Sequence, residues 1–190
     1  MWEIRLLWLV LAVIWLGAER HLVRRADNRH HAITDVETRS QRTLWITLIA
    51  SVLASLVFKH LALWPIAITY LPRQLMAMLL FAAGLTLRYL AVRQLGVLFT
   101  TDVTIRPDHV LVTDGPYRHV RHPAYTGLLL ALTGAGLAMG DGLSLLLMTL
   151  PALLALRSRI LIEERMLSAS FGSYYDTFCA SRWRLLPWLY

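Results

Sequence analysis

Two clusters of polar side chains interrupt an otherwise apolar chain, and their residue types point to a ligand that carries both signs of charge. The first, residues 109–127, includes His109, Tyr117, Arg118, His119, Arg121, His122, Pro123 and Tyr125. The second is Arg159, Glu163 and Glu164. Arg159 and Glu163 are four residues apart, so in a continuous helix they share a face, whereas Glu164 points about 100° away from it. Such a carboxylate accepts hydrogen bonds from a cationic group, and the guanidinium meets an anion. The plainer alternative is an ion pair that closes a helix at the membrane edge. Polar groups of this kind are costly beside membrane-length apolar runs, which favours a polar ligand bound at the edge of a bilayer.

His122 stands immediately before Pro123, and proline is well suited to the first turn of a helix, so a helix is expected to begin there with its first N–H groups open to a carboxylate. His122 is the better ligand candidate of the histidines; His119 reads as an interfacial polar residue. Their spacing, with His109, is too irregular for zinc, and no metal is expected. Tyr117 and Tyr125 are equally at home as aromatics of the membrane belt. Gly134-Ala-Gly136 lies inside an apolar run with no strand before it and no third glycine after it, which excludes a dinucleotide loop. Nucleophile-elbow, phosphate-loop and His-Glu-x-x-His motifs are absent as well.

The elements that must position these residues are membrane helices. Of 190 residues 57% are hydrophobic and only 16% charged, the balance of a single integral membrane domain. The net charge is +7, but Lys59 is the sole lysine, and the arginine surplus sits in particular loops; this bears on membrane orientation and not on nucleic acid. Cys179 is the only cysteine, which excludes an intrachain disulfide and a cysteine metal motif. The first apolar run lacks a basic leader and carries Glu3 near its start, so it reads as a retained span rather than a signal peptide.

Residues 2–18 make a first helix of about 17 residues, close to the shortest that crosses hydrocarbon. Residues 19–42 are expected to be a loop whose arginines 20, 24, 25, 29, 39 and 42 place it in the cytoplasm and the N-terminus outside. Residues 43–64 form a second span, 66–72 an outer turn and 74–92 a third span, with Arg88 near its inner end snorkelling to the headgroups. Short β-branched runs at 103–105 and 110–112 predict a small hairpin or a paired extended segment. Asp141-Gly142 is a turn between a fourth span, 123–140, and a fifth, 143–156. The remainder, 166–190, has the aromatic and basic composition of an interfacial helix and tail lying over the first cluster. The prediction is an all-α bundle of about five transmembrane helices, multi-pass, with its C-terminus in the cytosol.

Gly115-Pro-Tyr-Arg-His-Val-Arg-His-Pro-Ala-Tyr-Thr-Gly127, then Arg159-Ile-Leu-Ile-Glu-Glu164 and Phe171-Gly-Ser-Tyr-Tyr175, closely resembles the isoprenylcysteine carboxyl methyltransferase family. The resemblance covers about half the chain, residues 87–187; Arg-His-Pro-x-Tyr alone is shared with sterol reductases and phospholipid methyltransferases. It implies a membrane enzyme that binds S-adenosylmethionine at the cytosolic face without a Rossmann domain and releases S-adenosylhomocysteine. The family's cofactor contacts would fall on His109, Val110, Leu111, Val112, Tyr117, His122, Pro123, Ala124, Tyr125 and Glu163, and its substrate-binding arginine on Arg159. The single domain then divides into three spans (1–92), a cytosolic cofactor loop (93–124), a helical hairpin (125–162) and a capping segment (163–190). The implied location is a prokaryotic inner membrane, and the implied partners are membrane lipid and a lipophilic or lipidated acceptor, left open among a prenylated protein, lipids, quinone-like compounds and small thiols. Two rivals stand beside this: a reductase using NADPH, and a non-catalytic scaffold whose arginines bind anionic lipid or a partner.

Overall fold

The computed structural model describes residues 2–27, 35–96 and 111–187. Among them are six α-helices: α1 (Trp2–Asp27), α2 (Asp35–Leu61), α3 (Tyr70–Leu95), α4 (Pro123–Met139), α5 (Gly142–Phe171) and α6 (Ser173–Ala180). A 3-10 turn, Gly115–Arg118, precedes α4. Strand pairing among the described residues is limited to the isolated bridges Pro65 with Asp141 and Val120 with Trp183. The hairpin expected from the β-branched runs falls almost wholly outside the described residues.

Among the described residues three stretches are long and apolar enough to cross a membrane: Arg39–Leu61, Tyr70–Leu95 and Gly142–Phe171. Pro123–Met139 is a shorter apolar helix. Leu9, Val13, Leu16, Leu53, Val57 and Leu79 are all more than half exposed, as lipid-facing side chains must be in a bundle that buries its polar groups internally.

Several boundaries differ from the sequence expectation. The stretch 19–42 is not one loop, because α1 continues to Asp27 and α2 begins at Asp35. Helix α5 does not stop with the apolar run near residue 156 but continues to Phe171 over 30 residues. Beyond Pro151 nothing in its sequence stops a helix until Gly172, whose φ of 53° suits glycine. Charge ends a membrane crossing but not the helical backbone.

The start of α5 follows the expected turn. Gly140 closes α4 at φ 82°, and the Asp141 carboxylate caps α5 by accepting from Ser144 N–H at 3.0 Å. It also accepts from Trp64 N–H at 2.7 Å, which ties the exit of α2 to the start of α5. These N–H groups hold the Asp141 carboxyl below the usual carboxylate range, Ser144 contributing most. Ser55 and Ser144 continue the tie, each hydroxyl donating to the other's backbone carbonyl at 3.0 Å.

α3 and α4 approach more closely than large side chains would permit. A Cβ added at Gly84 would lie 2.5 Å from Gly127 O and Ala131 N, and one at Gly134 would lie 2.6 Å from Ala77 O. Small residues at 77 and 84 of α3 and 127, 131 and 134 of α4 therefore bring the two backbones into contact, the membrane-helix solution to association without a hydrophobic driving force. Leu44 and Leu48 of α2, Leu128, Leu129 and Leu132 of α4, and Met148, Ala152 and Leu156 of α5 form the adjoining core.

Helix α1 packs along α3 in a ladder whose rungs on α3 are seven residues apart. Trp8 Nε1–H donates to Gln74 Oε1 at 2.7 Å. Trp8 and Trp15 meet Phe81 edge-on, with ring centroids 5.4 and 5.8 Å away. At the last rung Arg88 Nη2 donates to Glu19 Oε2 at 2.9 Å, and Arg88 Nε donates to Glu19 Oε1. Arg88 is thus paired inside the bundle, its side chain 13% exposed, and does not snorkel to the headgroups.

Candidate active site

The site is assembled where the start of α4 meets the polar part of α5. Pro123 occupies the first turn of α4, as its fixed φ favours, and His122 is the residue before it. Three residues into α4, Tyr125 reaches the face of α5 that carries Arg159 and Glu163. Its hydroxyl donates to Glu163 Oε2 at 2.9 Å and accepts from Arg159 Nε–H at 2.9 Å. One phenol therefore joins the cation and the anion that lie four residues apart on α5. A tyrosine does this without desolvating an extra charge, and the hydroxyl has one donor and two acceptor sites to spend.

His122 lies between the two carboxylates of α5. Its Nδ1 is 3.8 Å from Glu163 Oε1 and its Nε2 is 3.5 Å from Glu164 Oε1, with the ring stacked near Tyr125 at 5.7 Å. The histidine side chain is 3% exposed and that of Glu163 30%, so Glu163 is the carboxylate a ligand can reach. Tyr117 is buried with Ala91, Val92 and Ala124, against which Val112 packs; Leu111 adjoins Val112 in an irregular segment. Burial pushes the Tyr117 phenol well above its ordinary value, Glu163 and Tyr125 add to this and Arg88 opposes it, so Tyr117 stays neutral.

Of the residues singled out from sequence, the structure brings together Val112, Tyr117, His122, Pro123, Ala124, Tyr125, Arg159 and Glu163. His109 and Val110 lie outside the described residues.

Sequence reasoning placed Glu164 in the second cluster but missed the clamp that holds it. Glu164 was expected to point away from the site; it does leave the Arg159–Glu163 face, but only to meet residues from elsewhere. Arg121 Nη1 donates to it at 3.0 Å and Arg184 Nε at 2.9 Å. Arg184 belongs to the segment after α6, which runs across the residues that lead into α4. Trp183 N–H donates to His119 O at 3.2 Å, Arg121 N–H to Trp183 O at 2.8 Å, and His122 N–H to Arg184 O at 3.1 Å. Thr126 Oγ1 donates to Leu185 O at 2.7 Å, and Leu185 is buried. An open cleft of about 470 Å³ lies beside this strap, lined by Arg121, Trp183, Arg184 and their neighbours in 179–182. The two arginines that flank Trp183 were the available signal.

The cluster combines a partly exposed carboxylate and a buried guanidinium joined by a phenol, with Val92, Ala124 and Val112 packed around Tyr117 nearby.

Comparison with known proteins gives a consistent picture. Residues 75–169 match the model of the isoprenylcysteine carboxyl methyltransferase family. A protein-S-isoprenylcysteine O-methyltransferase of Schizosaccharomyces pombe is 37% identical over 97 residues, 50% of this chain and 41% of that protein. A probable protein-S-isoprenylcysteine O-methyltransferase of Oryza sativa subsp. indica is 33% identical over 108 residues, 56% of each chain. The chain thus spans about half the length of the curated relatives it matches. A solved structure of the eukaryotic intramembrane Ras methyltransferase, isoprenylcysteine carboxyl methyltransferase, superposes with a TM-score of 0.62 at 24% identity, covering 76% of this chain and 52% of that one, a likeness of fold.

Proposed function

The chain belongs to the isoprenylcysteine carboxyl methyltransferase family, and from that premise we propose that it is an integral membrane methyltransferase using S-adenosylmethionine. Its acceptor is a carboxylate, or another nucleophile, on a lipophilic or lipid-tethered molecule. The observation that carries this reading is the Arg159–Tyr125–Glu163 chain of hydrogen bonds beside buried His122.

The residues present suit the cofactor. Glu163 would accept from the ammonium of the methionine moiety, and Leu111, Val112, Pro123 and Ala124 would offer the apolar surface an adenine requires, with Tyr117, His122 and Tyr125 nearby; His109 and Val110 are assigned to the cofactor by the family resemblance alone. When bound, S-adenosylmethionine supplies a methyl group on a positively charged sulfur, activated for in-line displacement. Arg159 orients the acceptor. A carboxylate acceptor is already ionised at neutral pH, so a site without a dedicated general base is sufficient. What the protein must supply is alignment. The names of the relatives make an S-prenylated cysteine one acceptor to test among lipids, quinone-like compounds and small thiols.

In this reading the chain crosses a prokaryotic inner membrane five times, N-terminus outside and C-terminus in the cytosol, so that the arginine-rich segments and the cofactor site face the same side. Residues 163–190 cap the cofactor, with α6 lying in the interface.

The test is titration of the purified protein with S-adenosylhomocysteine, in competition with NADPH. Saturable binding that NADPH does not displace, and that Glu163→Ala largely removes, is expected; wild-type protein that binds NADPH and not S-adenosylhomocysteine overturns the reading. Incubation with methyl-labelled S-adenosylmethionine and a membrane lipid extract then identifies the acceptor.

A further inference from the structure

The Glu19–Arg88 pair joins α1 to the candidate site. Three features fix Arg88 at this place. Its backbone is pressed against α4, since a Cβ at Gly127 would lie 2.6 Å from Arg88 N and 2.9 Å from Arg88 Cβ. Its guanidinium is held in two hydrogen bonds by Glu19, whose side chain is only 14% exposed. Its remaining terminal nitrogen, Nη1, is 3.4 Å from Ala124 O, the carbonyl beside Tyr125. Trp15 Nε1–H donates to Glu19 Oε1 at 3.3 Å, so the carboxylate is itself held in place by its own helix. One turn before Arg88, Gly84 is packed on Gly127 and Ala131, which keeps this part of the α3 backbone against α4.

A buried ion pair of this kind adds little net stability once desolvation is counted, and its removal from one side leaves an uncompensated charge. Its geometry here serves a different end: the planar guanidinium presents donors to a carboxylate and a carbonyl at once. Building on the methyltransferase reading, we propose that Arg88 is a positioning residue for cofactor binding. Anchored by Glu19, it holds the Ala124 carbonyl and thereby the Pro123–Tyr125 turn that aims Tyr125 at Glu163. Glu19 lies outside residues 75–169, so this pair makes the first helix part of the working site although the matched region begins in α3.

A structural role and a positioning role separate under charge exchange. Glu19→Arg combined with Arg88→Glu restores an ion pair between α1 and α3, but a carboxylate at 88 cannot donate to Ala124 O. Titration with S-adenosylhomocysteine and thermal melting are measured on protein in nanodiscs for wild type, Arg88→Met, Arg88→Lys and the exchanged double variant. The expected result is a tenfold or greater loss of affinity in Arg88→Met, a smaller loss in Arg88→Lys, which keeps a donor, and in the exchanged variant a recovered melting temperature with affinity still reduced at least tenfold. Wild-type affinity in Arg88→Met, or in the exchanged variant, overturns the inference while leaving the methyltransferase reading intact. Failure of wild-type protein to bind S-adenosylhomocysteine overturns that reading, and the inference with it.

Discussion

Replacing Gly127 by alanine adds one methyl group at a place where two helix backbones touch. The new Cβ would stand 2.5 Å from Gly84 O and 2.6 Å from Arg88 N, and both are main-chain atoms that cannot rotate away. Contact between such atoms relaxes only beyond about 3.4 Å, so α3 and α4 must part by roughly an ångström, and overpacking of this kind costs about 1–3 kcal/mol. For a chain of this size that corresponds to a fall in melting temperature of ~2–12 °C. The comparison is Gly17→Ala on α1, where nothing lies within 4 Å of the new methyl. That change exchanges glycine for the best helix former and should leave stability unchanged or raise it by up to ~1 kcal/mol. Both variants are melted side by side in the same detergent, followed by fluorescence of the tryptophans. If Gly127→Ala melts within a degree of wild type, the backbone contact between α3 and α4 is not the source of their association and the packing argument fails.

Two further changes probe the site and its far end. Tyr125→Phe removes the hydroxyl that accepts from Arg159 and donates to Glu163, so each charged group loses one hydrogen bond and S-adenosylhomocysteine affinity should fall at least tenfold, by about 1.5–3 kcal/mol for hydrogen bonds to charged groups; calorimetric titration reads this, and an unchanged affinity would remove Tyr125 from the site. The Asp141 carboxyl is held below its ordinary range by the N–H groups of Ser144 and Trp64. Its folded value is the lower one, so its contribution is complete above the unfolded value near pH 4 and is lost as pH falls through the folded one. Melting temperature against pH should therefore drop below about pH 4 in wild type and do so less steeply in Asp141→Asn.

The sequence made the polar heart of the molecule readable because local rules govern it. Proline at a first turn set the start of α4, and a spacing of four put Arg159 and Glu163 on one face of α5. What escaped were pairings between residues far apart in the chain. Glu19 read as the end of a span and Arg88 as a side chain reaching for headgroups, since nothing local says that the two meet. Glu164 read as turned away because helical geometry describes only its own helix, whereas Arg121 and Arg184 reach it from a loop and from the segment after α6. The lengths of α1 and α5 were underestimated for a related reason: hydropathy reports where a membrane ends, and both helices continue beyond that point.

The close seam of α3 and α4 has a consequence for how variation in this protein is interpreted. The same glycines that let the backbones touch also set how far the Arg88 guanidinium extends toward the main chain beside Tyr125. A library of random substitutions screened only for product formation would score these small residues alongside the ligand-touching ones, and a reader of that map would draw a pocket larger than the true one. Measuring abundance in parallel separates the two groups, because seam positions lose protein and product together, whereas pocket positions lose product alone.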